Sequence, residues 1–339
     1  MTRQAQAQKF IAEAGWTDAR IAPLAGDASN RRYDRLTRSD QSRAVLMDAD
    51  PAKGENVQPF VMIANFLRAQ NLSAPKIYHA DPNNGFLLIE DLGDRLFARE
   101  MATDPDMERP LYEAAIDVLT HLHKAKPPRL LYYDAQTTVP LAALAYDWYQ
   151  FGCQGHTNSD EKALFSKAFH AIIAPFDKHL SVLIQRDYHA ENLLWLPDRQ
   201  GVAQVGLLDF QDAMIGHPVY DLVSILQDAR RDVSGDMERY MMERFLAQSG
   251  LAPREFAIAY AVFGAQRSLR ILGGFSRLCI RDGKAHYVEL IPRVWRQLHK
   301  NLVHPVLAPV ADLIRQHLPA PDQAVLDQLK RLSGTCSTR

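Results

Sequence analysis

QRDYHAENLLWLPDRQGVAQVGLLDFQD, residues Gln185 to Asp212, is the stretch that decides the fold. Short apolar runs in this part of the chain predict buried strands arranged in hairpins. Asp187 follows the first run, Asn192 precedes the second, and Asp209 ends the third. Asp187 and Asn192 are five residues apart, and Asp209 lies 22 residues beyond Asp187. This spacing favours phosphoryl transfer, with Asp187 as the base for an incoming hydroxyl and Asn192 and Asp209 as magnesium ligands.

The composition is that of an ordinary globular protein. The length of 339 residues suggests two lobes or domains, and the 47% of hydrophobic and 23% of charged residues are typical values. A net charge of -1 provides no field that would favour nucleic acid or an anionic membrane. Three widely spaced cysteines form neither a disulfide framework nor a zinc pattern, so we expect a cytoplasmic protein. No sequence feature indicates an obligate protein partner.

The first 91 residues predict a small, strand-rich lobe that binds nucleotide. A short helix is expected over residues 4–14, and a longer one over 57–70, where apolar residues recur at three-four spacing. Five strands are predicted, at residues 21–25, 31–37, 43–47, 76–79 and 86–90. We therefore expect an antiparallel five-stranded sheet in this lobe.

Residues 92–339 predict a larger, mainly helical lobe that contains the catalytic loop and the substrate site. Helices are expected at residues 110–124, 160–178, 219–230, 235–247, 253–272, 286–300, 305–317 and 321–332. The hairpins between residues 182 and 209 would lie in this lobe. The predicted fold class is thus α+β, with two lobes.

Four motifs in order resemble the aminoglycoside phosphotransferase-like branch of the protein-kinase-like fold. They are LLIEDL at 87–92, RDYHAEN at 186–192, LDF at 208–210 and GHPVYDLV at 216–223. The resemblance covers roughly residues 20–300. It implies a kinase that uses ATP and Mg²⁺, in which Asp221 braces the catalytic loop.

A finer resemblance is to bacterial sugar kinases that phosphorylate the anomeric hydroxyl of N-acetylmuramate or N-acetylglucosamine. The segments that carry it are GDASNRRY at 26–33, AVLMD at 44–48, residues 85–94, and QRSLRILG at 266–273 with residues 275–278. This resemblance implies a role in the recycling of cell-wall sugars.

Two segments are the predicted contacts to the nucleotide. The loop from Gly26 to Asn30 would cover the phosphates, because Gly26 lets the backbone turn sharply and Ser29 and Asn30 add donors. Glu90 and Leu92 belong to the segment that would present backbone groups to adenine. Main-chain recognition leaves the purine unspecified.

The lysine that the family carries on its third strand is absent, because Met47 occupies that position. Another cation should then neutralise the phosphates, and Arg31, Arg32 and Lys53 are the candidates. Glu55 resembles the helix glutamate that normally pairs with the missing lysine.

Basic residues late in the chain favour an acidic acceptor. Arg267, Arg270 and Arg277 fall near one face of a stretch that is predicted to run from helix into loop. Arginine suits bidentate contacts to a carboxylate, such as that of a sugar acid, although a solvated basic face would give the same pattern.

Three residues in or near the central stretch are further candidates for substrate contacts. His189 and Glu191 lie inside the catalytic loop and could contact the acceptor. Asp212 is a candidate for the substrate or the water shell of a metal ion, and it also fits a plain turn.

Other functions stay open at this point. Aminoglycosides, choline-like amino alcohols and homoserine are alternative acceptors, although a polycationic aminoglycoside would favour an acidic pocket. The missing lysine also motivates a catalytically silent nucleotide-binding protein that serves as an interaction module. The presence of Asp187, Asn192 and Asp209 argues against that alternative.

Overall fold

The computed structural model of the protein describes residues 1–24 and 30–336. Most of the predicted phosphate-covering loop, including Gly26 and Ser29, lies outside the described residues. Within the described ranges, no helix is long and apolar enough to cross a membrane.

The strands and helices of the described residues follow in chain order. The strands are β1 Arg20–Pro23, β2 Arg32–Thr37, β3 Arg43–Asp48, β4 Ile77–Asp81, β5 Phe86–Glu90, β6 Val182–Ile184, β7 Leu193–Trp195, β8 Val205–Leu207 and β9 Met214–Gly216. The helices are α1 Arg3–Glu13, α2 Gln58–Ala69, α3 Phe97–Thr103, α4 Glu108–Leu122, α5 Ala135–Leu144, α6 Phe151–Gln154, α7 Ser159–Ile173, α8 Val219–Leu226, α9 Gly235–Ser249, α10 Pro253–Ile280, α11 Ile291–Leu302, α12 Ala308–His317 and α13 Gln323–Arg331.

Two compact units contain these elements. The first comprises Met1–Leu122 and Ala190–Ala213, and the second comprises His123–His189 and Met214–Arg339. The chain therefore passes from the second unit to the first within the RDYHAEN motif. The functional division at residue 91 stays a prediction, because compactness does not report where nucleotide and acceptor bind.

The sheet of the first unit is antiparallel, with strand order β1-β2-β3-β5-β4, which confirms the predicted five-stranded fold. Alternate residues of β2, β3 and β5 are buried on one face because side chains alternate across a strand. Leu36, Leu46 and Leu88 of this face pack with Phe10 of α1. A single apolar cluster thus joins the first helix to the sheet.

The turn between β4 and β5 requires a glycine. Gly85 has a φ of +71°, and its carbonyl accepts a hydrogen bond of 2.9 Å from the amide of Ala49. A Cβ at this position would lie 1.9 Å from the carbonyl oxygen of Ala49. Both the backbone conformation and the lack of space therefore exclude a larger residue.

A short hairpin completes the first unit. β7 and β8 pair antiparallel, as the sequence predicts. Isolated bridges join Leu194 to Leu96 and Gly206 to Ser73. The amide of Trp195 donates to the carbonyl of Arg95 at 2.7 Å. The hairpin is thus attached to the segments that flank the sheet.

The predicted hairpin partner of the first apolar run was wrong. β6 pairs with β9 in the second unit and not with the next run of the central stretch. β9 is only three residues long and lies between the polar Asp212 and His217, so its apolar run gives little signal in the sequence.

Helix α10 is the longest helix of the described residues, with 28 residues. It packs against α5, α8 and α11 within the second unit. The expectation that this helix gives way to a loop before Arg277 was wrong, since it continues to Ile280. Gly273 permits close packing: a Cβ there would lie 2.3 Å from the carbonyl carbon of Leu144. The glycine therefore serves helix contact and does not end the helix.

Candidate active site

The loop after β6, which the sequence predicts to be the catalytic loop, is anchored by a buried carboxylate. Asp221 on α8 is fully buried and accepts hydrogen bonds from the amides of Gln185 (2.6 Å) and Arg186 (2.9 Å). Burial raises the pKa of Asp221 to about 7, although the two amides favour its charged form. Arg186 has a φ of +73°, a conformation that non-glycine residues rarely adopt. The loop is thus fixed immediately before Asp187.

Asp187 forms an ion pair with an arginine of α10. The Arg270 guanidinium donates to an Asp187 oxygen at 3.0 Å. Burial by itself would raise the pKa of Asp187, but Arg270 and then Arg267 outweigh it and hold the pKa well below the usual range. Asp187 is therefore an ionised carboxylate with an orientation fixed by Arg270.

Arg267 and Arg270 do not form a solvated basic face. Arg267 is 3% exposed and donates to the carbonyl of Gln227 at 3.2 Å. Burial lowers its pKa from the ordinary arginine value. Arg277, seven residues beyond Arg270 on the same helix, is half-buried. Two of the three arginines that the sequence singled out thus lie inside the second unit, next to or near Asp187.

His189 is also buried in the second unit. Its Nε2 lies 3.3 Å from a guanidinium nitrogen of Arg230. Burial lowers the pKa of His189 to about 4, so the imidazole is neutral at pH 7. Asp187, His189, Arg267 and Arg270, which the sequence predicts to act on the acceptor, are together with Asp228 called the acceptor cluster below. Sequence reasoning missed Asp228, because an aspartate after a helix is an ordinary cap or turn former.

Asn192 and Asp209 come together at the base of the β7–β8 hairpin, in the first unit. The Asn192 amide nitrogen lies 3.5 Å from an Asp209 oxygen, and Gln211 donates to the other Asp209 oxygen at 2.6 Å. Asp209 has a φ of +55°. Strained backbone of this kind concentrates at functional sites. The structure thus pairs these two predicted metal ligands.

This pair fits a magnesium ion. Mg²⁺ prefers oxygen ligands and usually takes one or two from the protein, with the rest from phosphates and water. The Asn192 amide oxygen and the Asp209 carboxylate provide two. Residues 1–24 and 30–336 contain no cluster of three or more His, Cys, Asp or Glu side chains that could hold a metal. Glu191 and Asp212, the remaining candidates of the central stretch, are exposed.

The predicted adenine segment is fixed on one side by Glu90. Its carboxylate accepts from Arg199 of the β7–β8 turn at 2.7 Å and from the Lys76 amide at 3.1 Å. Arg199 also donates to the hydroxyl of Ser73 at 2.6 Å. The Glu90 side chain therefore has a structural role that its sequence position does not reveal.

A second arginine fixes the other end of the segment. Arg35 of β2 contacts Asp91 at 2.7 Å and Asp94 at 2.9 Å. Its hydrogen bond lowers the pKa of Asp94. Between these anchors, the N–H and C=O of Leu92 make no hydrogen bond with any described residue. Backbone groups of this kind require a partner, which is water or a ligand.

The third-strand position lacks a cation, as the sequence shows. Met47 is 1% exposed and lies opposite Leu87 in the sheet register. Arg31, which directly precedes β2, forms an ion pair with Glu55 at 2.9 Å, so the glutamate has a cationic partner from outside β3.

The other predicted phosphate contacts differ in their surroundings. Arg32 pairs with Asp34 at 3.2 Å and with Asp48 at 3.6 Å, which leaves its charge compensated. Lys53 and Asn30 are exposed.

Comparison with known proteins identifies the family. The family model for the phosphotransferase enzyme family (APH) matches residues 20–259. An N-acetylmuramate/N-acetylglucosamine kinase of Caulobacter vibrioides is 39% identical, over 94% of this chain and 97% of that protein. A kinase of the same name from Pseudomonas aeruginosa is 32% identical, over 90% of this chain and 91% of that protein.

Solved structures confirm the fold. A choline/ethanolamine kinase family protein from Mesorhizobium loti superimposes with a TM-score of 0.61 at 13% identity, and covers 93% of this chain and all of that one. A choline kinase from Streptococcus pneumoniae gives a TM-score of 0.59 at 14% identity, over 88% of this chain and 99% of that one. The chain therefore belongs to the phosphotransferase enzyme family.

Proposed function

We propose that the protein transfers the γ-phosphoryl group of ATP to the anomeric hydroxyl of N-acetylmuramate and N-acetylglucosamine. The observation that carries this proposal is the Asp187–Arg270 ion pair, because it provides an ionised, oriented carboxylate in basic surroundings. The names of the relatives that align over most of the chain support the choice of sugar.

The reaction forms one bond and breaks another. The anomeric oxygen attacks the γ-phosphorus, the bond between that phosphorus and the β,γ-bridging oxygen breaks, and ADP leaves with the electron pair. Asp187 orients the hydroxyl and accepts its proton. An anomeric hydroxyl is more acidic than an ordinary alcohol. Because catalysis of phosphoryl transfer depends mainly on positioning, an ionised carboxylate with a lowered pKa can orient the hydroxyl and take its proton as the new bond to phosphorus forms.

Asn192 and Asp209 would hold Mg²⁺, which supplies charge neutralisation of the nucleotide phosphates when it is bound. Leu92 would use its backbone groups for the adenine edge, and Gly26, Ser29 and Asn30 would cover the phosphates. In place of the missing lysine, Arg31 would supply positive charge, with Glu55 orienting its guanidinium. The exposed Arg32 has a weaker claim, because two aspartates already compensate it.

The acceptor cluster would distinguish substrates by charge. Arg267 and Arg270 would attract the lactyl carboxylate of N-acetylmuramate, and His189, Glu191 and Asp212 would contribute further contacts to the acceptor. The same arginines oppose cationic acceptors such as choline or an aminoglycoside. The reaction would take place in the cytoplasm, where ATP is available, as a step in the recycling of cell-wall sugars.

The decisive experiment measures ADP release from ATP and Mg²⁺ with a panel of acceptors. We expect turnover with N-acetylglucosamine and N-acetylmuramate, and none with the methyl glycoside of N-acetylglucosamine, which lacks a free anomeric hydroxyl. Turnover of the methyl glycoside would contradict the assigned position. Nucleotide binding without turnover of any acceptor would favour the silent interaction module.

Variants test the individual roles. Asp187→Asn should bind nucleotide normally but lose several orders of magnitude in kcat, whereas the exposed control Asp198→Asn should retain full activity. Asp209→Ala should weaken Mg²⁺-dependent nucleotide binding, measured by titration calorimetry with and without the metal. Arg267→Ala should lower kcat/KM for N-acetylmuramate more than for N-acetylglucosamine. Equal losses of kcat/KM for both sugars would show that Arg267 does not recognise the carboxylate.

A further inference from the structure

Asp228 is a buried carboxylate that the proposed mechanism does not use. It follows helix α8 and is 1% exposed. Its Oδ1 accepts a hydrogen bond of 2.8 Å from the amide of Arg230. Its Oδ2 is buried and has no hydrogen-bond partner among the described residues. A buried carboxylate oxygen without a donor is costly, so this position calls for a group that donates a hydrogen bond.

The chain around Asp228 is rigid. Three consecutive carbonyl groups accept hydrogen bonds from long side chains of α10 and α11: that of Gln227 from Arg267 at 3.2 Å, that of Asp228 from Gln297 at 2.9 Å, and that of Ala229 from Arg293 at 3.1 Å. The three carbonyl groups of this segment are therefore satisfied, while one side-chain oxygen of Asp228 is not. A rigid segment that presents an unfilled acceptor is the arrangement expected of a specificity residue.

Asp228 belongs to the same cluster as Asp187. The backbone amide of Arg230 donates to Asp228, and the guanidinium of Arg230 contacts His189 in the catalytic loop. Arg267 provides a second connection to Asp228, because it donates a hydrogen bond to the carbonyl of the preceding residue, Gln227. Asp228 also raises the pKa of both His189 and Arg267 in part, against the larger effect of burial. The unfilled acceptor therefore lies near the proposed catalytic base within one compact unit.

We propose that Asp228 accepts a hydrogen bond from the 4- or 6-hydroxyl of the acceptor sugar and so determines specificity for that hydroxyl. This inference rests on the proposed function. An anionic group is excluded as the partner of a carboxylate, whereas a neutral hydroxyl donates readily. The 3-position of N-acetylmuramate carries an ether and a carboxylate in place of a free hydroxyl, so it offers Asp228 no donor. The 4- and 6-hydroxyls are common to both sugars. Because Oδ2 is buried in this structure, binding requires the groups that cover it to move aside.

The test compares kcat/KM for N-acetylglucosamine with its 3-, 4- and 6-deoxy analogues in the wild type and in Asp228→Asn. Asparagine keeps the shape and the contact to the Arg230 amide but replaces the unfilled acceptor with a donor. In the wild type we expect one of the 4- and 6-deoxy analogues to lose about ten- to hundredfold, the range for a hydrogen bond to a charged group. Asp228→Asn should lower kcat/KM for the parent sugar by a similar factor. For that analogue, the substitution should cause no further loss of kcat/KM relative to the wild type.

Controls separate this role from a structural one. Asp236→Asn, at an exposed aspartate that lies eight residues after Asp228 and pairs with Arg239, should leave kcat/KM and the pattern of analogues unchanged. Asp228→Ala serves as a second variant, and the melting temperature of each variant shows whether it folds. If the wild type is active but Asp228→Asn lowers kcat/KM by the same factor for every deoxy sugar, only the role proposed for Asp228 is overturned. A wild type that is inactive with every amino sugar would overturn the proposed function as well.

Discussion

Replacement of Arg270 by methionine tests whether the ion pair with Asp187 controls the reaction. Methionine keeps a long, unbranched side chain and removes the charge. The guanidinium lies 3.0 Å from the carboxylate, and a hydrogen bond to a charged group is worth about 1.5–3 kcal/mol. Because the Asp187 side chain is 34% exposed, solvent screening favours the lower part of this range. We therefore expect kcat/KM at pH 7.5 to fall about ten- to fortyfold.

The pH profile of kcat/KM should also change in a defined direction. Asp187 must be ionised to accept the proton, and in the wild type Arg270 and Arg267 hold its pKa well below the usual range. Activity should therefore show no loss from Asp187 as the pH falls toward 5. In Arg270→Met, the remaining burial raises the pKa, so the acid limb should move to higher pH.

Two matched variants complete the experiment. Arg270→Lys keeps a positive charge and should return the acid limb toward its wild-type position. Arg281→Met removes an arginine of the same region that pairs with its neighbour Asp282, and it should change neither rate nor profile. An acid limb that stays in place in Arg270→Met would refute the proposed electrostatic control of Asp187.

The remaining predictions concern the fold and the nucleotide. Gly85→Ala should lower the free energy of unfolding in urea more than Gly54→Ala, because both positions have positive φ but only the first lacks space for a Cβ; equal losses would remove the contribution of the close contact. Asp221→Asn should flatten the pH dependence of stability. In the wild type burial raises the pKa of Asp221 to about 7 from an ordinary 3.8, so the folded state retains the proton and the free energy of unfolding declines as pH rises from about 4 to 7. Arg31→Met should raise KM for ATP at least several-fold while KM for the sugar stays constant, and Glu55→Gln should show the same direction to a smaller extent; a change confined to the sugar KM would contradict the role proposed for Arg31.

Local sequence patterns predict the first unit well. The strands of its sheet alternate or run apolar over four to six residues, and the turn residues between them are strong signals. Helix α2 buries Phe60, Ile63, Ala64 and Leu67, the apolar positions that its three-four spacing indicates. These elements depend on neighbours in sequence, which is why sequence reasoning finds them.

Long-range packing explains what the sequence did not show. β6 pairs with β9 across about 30 residues, and no local pattern encodes that choice. The helical segment from α5 to α6 was not predicted, because it contains Pro140 and is interrupted by a π-helical turn at Ala145–Gln150. Within the site, the order of acidic and amide residues indicates Asp187, Asn192 and Asp209. The partners Arg270 and Asp228 reach Asp187 or its neighbours only through the fold.

The attachment of the β7–β8 hairpin has a consequence for synthesis of the chain. The hydroxyl of Ser73 donates to the carbonyl of Ala203 at 2.6 Å, a contact that spans 130 residues. The first unit therefore cannot finish folding until the ribosome has released the chain beyond residue 213. A fragment that ends after α4 would leave the attachment sites of the hairpin at Ser73 and Leu96 without partners. We therefore expect the N-terminal portion not to fold as a separate module, because its completion depends on the same hairpin that positions Asn192 and Asp209.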